Sequence, residues 1–180
     1  MYQILNKNFE IQESDILECE VVPNDGYVDG EPQVSNPVSV GNTAPSAPAV
    51  GLGPDDAQVG TPLSCEILED GTDLDDDTLT YHYRWSVNGY ENPGIVGPSI
   101  VPNQLVANEE GASLTKGDSV ACRVWSDDET DVSEIVVSNA VTLVNTPPVG
   151  GQVEVDHVGL SETDELLCVA EDAFDADGDE

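Results

Sequence analysis

"LTYHYRWSVNG", residues Leu79–Gly89, decides the fold. Leu79, Tyr81, Tyr83, Trp85 and Val87 alternate with Thr80, His82, Arg84 and Ser86, the period-two pattern of a strand with one face buried and one wet. Asn88-Gly89 then supplies a hairpin turn. Tyr81, Tyr83 and Trp85 are therefore assigned to a core. The same alternation recurs upstream at Leu63, Cys65 and Ile67, and downstream at Val120, Cys122 and Val124. A fourth strand is expected over Ser133–Val144, "SEIVVSNAVTLV", with Val141 and Leu143 on one face. Weaker strand signals lie at Val50–Leu52, Ser99–Val101 and Ala112–Thr115. No capped stretch shows a period of 3.6. About seven short strands in about 100 residues predict an all-β chain built as a β-sandwich.

The cysteines sharpen that expectation. Cys65 and Cys122 are 57 residues apart, each on the apolar face of its strand, with Trp85 between them in sequence. The order Cys, Trp, Cys on three inward positions is that of an immunoglobulin sandwich, where the bridge joins the two sheets and the indole packs against it. The alternative is a pair of free thiols, buried as small hydrophobes. A bridge closing so long a loop contributes about 4 kcal/mol by the chain-entropy account.

Comparing the chain with itself gives one dominant offset. "SDILECEV" (Ser14–Val21) aligns with "GDSVACRV" (Gly117–Val124), and "VSNPVSVGNTAP" (Val34–Pro45) with "VSNAVTLVNTPP" (Val137–Pro148), both displaced by 103 residues. "GTPLSCEI" around Cys65 matches "ETDELLCV" around Cys168, the cysteines again 103 apart. The acid clusters "EDGTDLDDDT" and "EDAFDADGDE" then match after a slip of one residue. The expected organisation is one complete unit, residues 44–146, between a C-terminal half-unit, 1–43, and an N-terminal half-unit, 147–180. Recurrence of both cysteines favours the bridge and predicts that Cys19 and Cys168 stay unpaired within this window. The Pro-rich segments "GNTAPSAPAV" and "VNTPPVGG" fall at the unit junctions, where fixed φ values make short semi-rigid linkers. Met1 falls inside a unit, so the chain reads as a window from a longer array.

At the level of motifs the unit resembles the tandem immunoglobulin-like (PKD- or cadherin-like) repeats of large secreted or surface-attached bacterial proteins. The resemblance rests on an NTxP linker (Asn42-Thr43-Ala44-Pro45), a strand cysteine (Cys65), an acidic loop running into LTYxYxWxVNG (Asp73–Gly89), and KGDxVxCxV (Lys116–Val124). The PKD signature WxFGDG is replaced by "WSVNG", which favours the broader Ig-like description. The resemblance implies an extracellular stalk, spacer or adhesive array, sometimes stabilised by calcium, with a signal peptide upstream of this segment.

Charge narrows the function classes. The chain carries 37 acidic and 4 basic residues, a formal charge of −33. Nucleic acid and anionic membranes both require positive charge and are excluded as partners. No run of 18 apolar residues is present, so no membrane insertion is expected of this segment. Between Glu66 and Asp77 seven of twelve residues are acidic. Asp73, Asp75 and Asp77 alternate, and Asp175, Asp177 and Asp179 repeat that spacing; with Asp70 they are the candidate ligands for calcium, which takes six to eight oxygens. This is not an EF-hand, because Thr78 stands at the glycine position and Arg84 at the closing glutamate. The alternative is a solvated loop in an acid-rich protein. Asp55, Asp56 and Asp156 are further oxygen donors near the linkers.

Catalysis is not expected. A glycosidase needs two carboxyls in different environments across a cleft, which a run of aspartates does not provide. His82 and His157 lie at non-equivalent positions, and no nucleophile–base arrangement accompanies them. Tyr90 and Trp125 are the aromatics expected nearest the surface, packed at sheet edges. The chain thus reads as a non-catalytic structural or adhesive stalk segment of an extracellular bacterial repeat protein. Its expected partners are neighbouring repeats and a surface protein or glycan. The rival reading is an accessory spacer or glycan-targeting region of a secreted multidomain enzyme.

Overall fold

The structure, a computed structural model, describes residues 10–156, 167–171 and 174–178. Among these residues every regular element is a strand, apart from one 3-10 turn at Pro102–Gln104. The first four strands are β1 (Ile16–Leu17), β2 (Glu20–Val21), β3 (Gln33–Val34) and β4 (Val38–Ser39), with β1 paired to β4 and β2 to β3. The central region carries β5 (Ala49–Gly53), β6 (Leu63–Glu69), β7 (Thr80–Val87), β8 (Tyr90–Asn92), β9 (Ser99–Ile100), β10 (Ser119–Asp127), β11 (Val136–Val137) and β12 (Val141–Thr142). Last come β13 (Gln152–Asp156) and β14 (Leu167–Glu171), paired with each other.

Two antiparallel sheets enclose the central core. One has the order β5-β6-β9; the other runs β11-β10-β7-β8, with β12 also on β10. Leu52, Leu63, Cys65 and Ile100 enter from the first, and Trp85, Val87, Val120, Cys122, Val124 and Val141 from the second. The Cys65–Cys122 disulfide forms and ties β6 to β10, with Cα atoms 6.2 Å apart. Trp85 lies opposite Cys122 in the β7–β10 register and is fully buried, its Nε1 donating to Gly97 O at 3.0 Å. Tyr81 and Tyr83 pack, half-buried, against the same core.

Several local expectations change. Ser133–Val144 is not one strand but two short ones, because the chain at Ser138 and Asn139 serves two sheets. Ser138 N donates to Cys122 O at 3.0 Å, and its Oγ accepts from Cys122 N at 3.1 Å. Asn139 instead turns to the opposite sheet, where its Oδ1 accepts from Leu52 N at 2.8 Å and its Nδ2 donates to Leu52 O at 2.9 Å. Ala112–Thr115 forms no strand, although Leu114 within it is buried. β8 was not foreseen; its polar "YEN" is placed by the turn at Asn88-Gly89, where both residues have positive φ.

The N-terminal ladders carry the hydrogen bonds of the central unit displaced by 103 positions. Ile16↔Ser39 and Leu17↔Val38 answer to Ser119↔Thr142 and Val120↔Val141. Cys19 with Ser35 exchanges the same pair of hydrogen bonds as Cys122 with Ser138. The environments differ: Val21 and Val38 are exposed, whereas Val124 and Val141 are buried. Cys19 and Cys168 are exposed free thiols. Among the described residues no helix is long and apolar enough to cross a membrane.

Candidate metal centre

The acidic loop between β6 and β7 is fastened at its base. Gly71 lies so close to the linker that a Cβ there would stand 2.5 Å from Ser46 O. Ser46 N donates to Thr72 O at 2.8 Å, and Thr72 N to Ser46 Oγ at 2.7 Å. The Tyr81 hydroxyl accepts from Gly71 N at 2.9 Å and donates to Asp70 Oδ1 at 3.0 Å. Burial raises the Tyr81 pKa, and Asp70 adds to that. Asp70 is thus engaged by the strand and stands outside the carboxylate group that forms further along.

Beyond this base the loop curls on itself. Asp73 Oδ1 accepts from Asp75 N at 2.7 Å, and Asp76 takes a positive φ of 63°. The curl brings one carboxylate oxygen each of Asp73, Asp75 and Asp77 within 4.8 Å of one another. All three residues are half-buried. The linker closes over them: Thr43 N donates to Asp75 Oδ2 at 2.6 Å. Asn42 Nδ2 donates to Asp128 Oδ2 at 3.1 Å and Asp131 Oδ2 at 3.0 Å, on the loop after β10. The dipeptide Asn42-Thr43 therefore touches two acidic loops, one before β7 and one after β10.

The electrostatics are those of an under-neutralised pocket. Burial, followed by the negative charges of Asp73, Asp128, Asp75 and Glu129, raises the pKa of Asp77. Asp128 is held the other way, chiefly by the amide of Asp131 and then by Asn42. Among the described residues three buried side-chain nitrogen or oxygen atoms lack a hydrogen-bond partner, and two of them, Asn42 Oδ1 and Asp73 Oδ2, are oxygens at this junction. Leaving such an acceptor unsatisfied costs about 1–3 kcal/mol each. A hard cation among the Asp73, Asp75 and Asp77 oxygens would give Asp73 Oδ2 a partner while offsetting the carboxylate repulsion. The three carboxylates are hard oxygen donors of the kind such an ion takes.

Thr146 and Asp177 repeat part of this arrangement. Asp177 is buried, its N donates to Asp175 Oδ1 at 2.8 Å, and it accepts from both Thr146 N and Thr146 Oγ1. Thr146 stands to Asp177 as Thr43 stands to Asp75. Asp179 and His157 lie outside the described residues. Asp55 and Asp56 sit exposed in the turn after β5. Asn42 and Thr43, rather than Asp55 or Asp56, touch the acidic loops. Neither Asn42 nor Asp128 was singled out from sequence, although Asn42 opens the NTxP motif and Asp128 stands 103 residues after Asp25. No family model matches the chain, and no curated protein matches it.

Proposed function

We propose that this chain is a segment of a non-catalytic extracellular array of disulfide-bridged Ig-like units, stiffened by calcium at the junctions between them. The carrying observation is the linker contact that occurs twice, Thr43 on Asp75 and Thr146 on Asp177. A solvated acidic loop has no reason to grip the preceding linker at equivalent positions of both junctions. The 103-residue displacement of the strand pairing supports the tandem reading, with 44–146 complete and 1–43 and 147–180 as halves. The Cys65–Cys122 bridge suits an oxidising, extracellular compartment.

Calcium would be held by Asp73, Asp75 and Asp77. It would supply positive charge between groups that otherwise repel. The residues themselves do the mechanical part. Thr43 and Asn42 belong to the linker, whereas Asp75, Asp128 and Asp131 belong to the loops of the next unit. Neutralising the loops removes the force that pushes the linker off them. Neighbouring units are then partners, and the outer faces remain free for a surface protein or glycan.

The test is thermal unfolding with excess chelator against millimolar calcium at constant ionic strength. Calcium at a hundredfold over its Kd stabilises by about 2.7 kcal/mol, which raises the midpoint by several degrees. Asp73→Asn and Asn42→Ala each reduce that shift. A midpoint unmoved by calcium would remove the cation from the proposal.

A further inference from the structure

The outward face of β7 and β10 is unlike the rest of this acidic chain. Arg84 and Arg123 are direct cross-strand partners, and His82 faces Trp125 in the next outward pair. Two of only four lysines and arginines thus stand side by side. Glu91 on β8 lies between them: Arg123 Nη1 ion-pairs with its Oε1, while Arg84 Nη1 is 3.9 Å from its Oε2. His82 Nε2 is 3.0 Å from Asp127 Oδ2. The His82 ring is stacked on Trp125 at 5.4 Å, and Arg84 Cζ lies 5.2 Å from the same indole. Two guanidiniums balance two carboxylates here, in a chain of charge −33. Trp125 is accordingly not packed at a sheet edge, where the sequence reading put it.

After Asn92 the chain leaves β8 and opens a cleft of about 510 Å³ beside this stack. Pro93, Val96 and Pro98 line it from the segment after β8, and Tyr81, His82, Tyr83, Arg84 and Trp125 line it from β7 and β10. The proline wall is anchored in the core, since Trp85 Nε1 donates to Gly97 O and Cys65 N to Pro98 O. Val96 is 71% exposed at the cleft. The fold does not require this surface. Displaced by 103 residues, Arg123, Trp125 and Asp127 become Glu20, Val22 and Asn24, while inward Cys122 and Val124 remain Cys19 and Val21. The outward set is absent from the matching N-terminal segment.

We propose that the cleft is a binding site for a neutral glycan. Flat indole, phenol and pyrrolidine surfaces cover the C–H faces of pyranose rings. Arg84 and His82, which line the cleft, offer polar nitrogens to adjacent hydroxyls. Charge selects the class of sugar: the cleft is locally balanced, and the strongly negative chain around it repels acidic polysaccharides. The site stands independently of calcium at the junctions.

The experiment is affinity electrophoresis of the intact chain through gels containing soluble starch, hydroxyethylcellulose, galactomannan or xyloglucan, with polygalacturonate as the acidic counterpart. Retardation is expected on at least one neutral polysaccharide and not on polygalacturonate. Trp125→Ala and Arg84→Ala are expected to weaken it by about tenfold or more, as removal of a central aromatic or arginine contact does. Cooperative melting of each variant shows that the fold is retained. Trp85 is buried, so acrylamide quenching of tryptophan fluorescence reports on Trp125, and the retarding polysaccharide is expected to shield it. Absence of retardation on every neutral polysaccharide, retention of it in Trp125→Ala, or retardation on polygalacturonate alone overturns the proposal.

Discussion

Asp25 and Asp128 stand 103 residues apart and organise their loops in the same way. Asp25 Oδ1 accepts from Tyr27 N at 2.9 Å and Val28 N at 3.0 Å; Asp128 Oδ1 accepts from Thr130 N at 2.7 Å and Asp131 N at 2.6 Å. An ionised carboxylate accepts these bonds better than a protonated one, so both groups are held below the ordinary value. For Asp25 the amide of Val28 is the main cause and that of Tyr27 the next. A depressed acid stabilises the fold above its unfolded pKa, and that contribution is lost as pH falls through the folded pKa. The amide resonances of Tyr27 and Val28 should therefore titrate with a midpoint below 3.8, the unshifted value. A midpoint at or above 3.8 in an NMR titration would contradict the loop geometry. At this scale the sequence was most informative where chemistry is local. Trp85 and the two bridging cysteines declare themselves by alternation, and Asp73, Asp75 and Asp77 by spacing. Asn42 did not, because its partner Asp128 is 86 residues away and only strand order brings them together.

Among the elements β10 is the hub. It pairs with β7 along one edge and with β11 and then β12 along the other, and its nine residues alternate strictly between buried and partly exposed. That alternation is one-dimensional, so it was legible from sequence. The break between β11 and β12 was not, because valines flank it on both sides and nothing local forbids a continuous strand. The cause lies in the other sheet, where the Asn139 amide engages both the N–H and the C=O of Leu52 on β5. Asn139→Ala leaves a backbone donor and an acceptor unpaired and is expected to destabilise by about 1–3 kcal/mol. Asn139→Asp keeps the acceptor for Leu52 N but loses the donor to Leu52 O. It should fall between wild type and alanine at neutral pH. Urea unfolding measures all three. An alanine variant as stable as wild type would show that the side chain does not brace the two sheets.

For the whole molecule the decisive quantity is charge, −33 over 180 residues. Repulsion of that size acts on the chain in two separable ways. Diffuse surface repulsion is screened by any salt, with a Debye length of about 8 Å at physiological ionic strength. Repulsion among Asp73, Asp75, Asp77 and Asp128 acts over a few ångströms inside a half-buried junction, where mobile ions screen it far less. Sodium chloride and calcium should therefore have different effects on the link between linker and loops. Raising sodium chloride in the presence of chelator should compact the chain by small-angle scattering, yet leave the amide of Thr43 exchanging freely with solvent. Adding calcium at fixed ionic strength should slow exchange at Thr43, because the neutralised loop keeps its grip through Asp75 Oδ2. Asp73→Asn with Asp77→Asn lowers the junction charge by two without restoring a cation site. The pair should abolish the calcium response at Thr43 while keeping the sodium response of the whole chain. Protection of Thr43 by sodium alone would mean that the junction is governed by net charge, and that the carboxylates gather there without coordinating an ion.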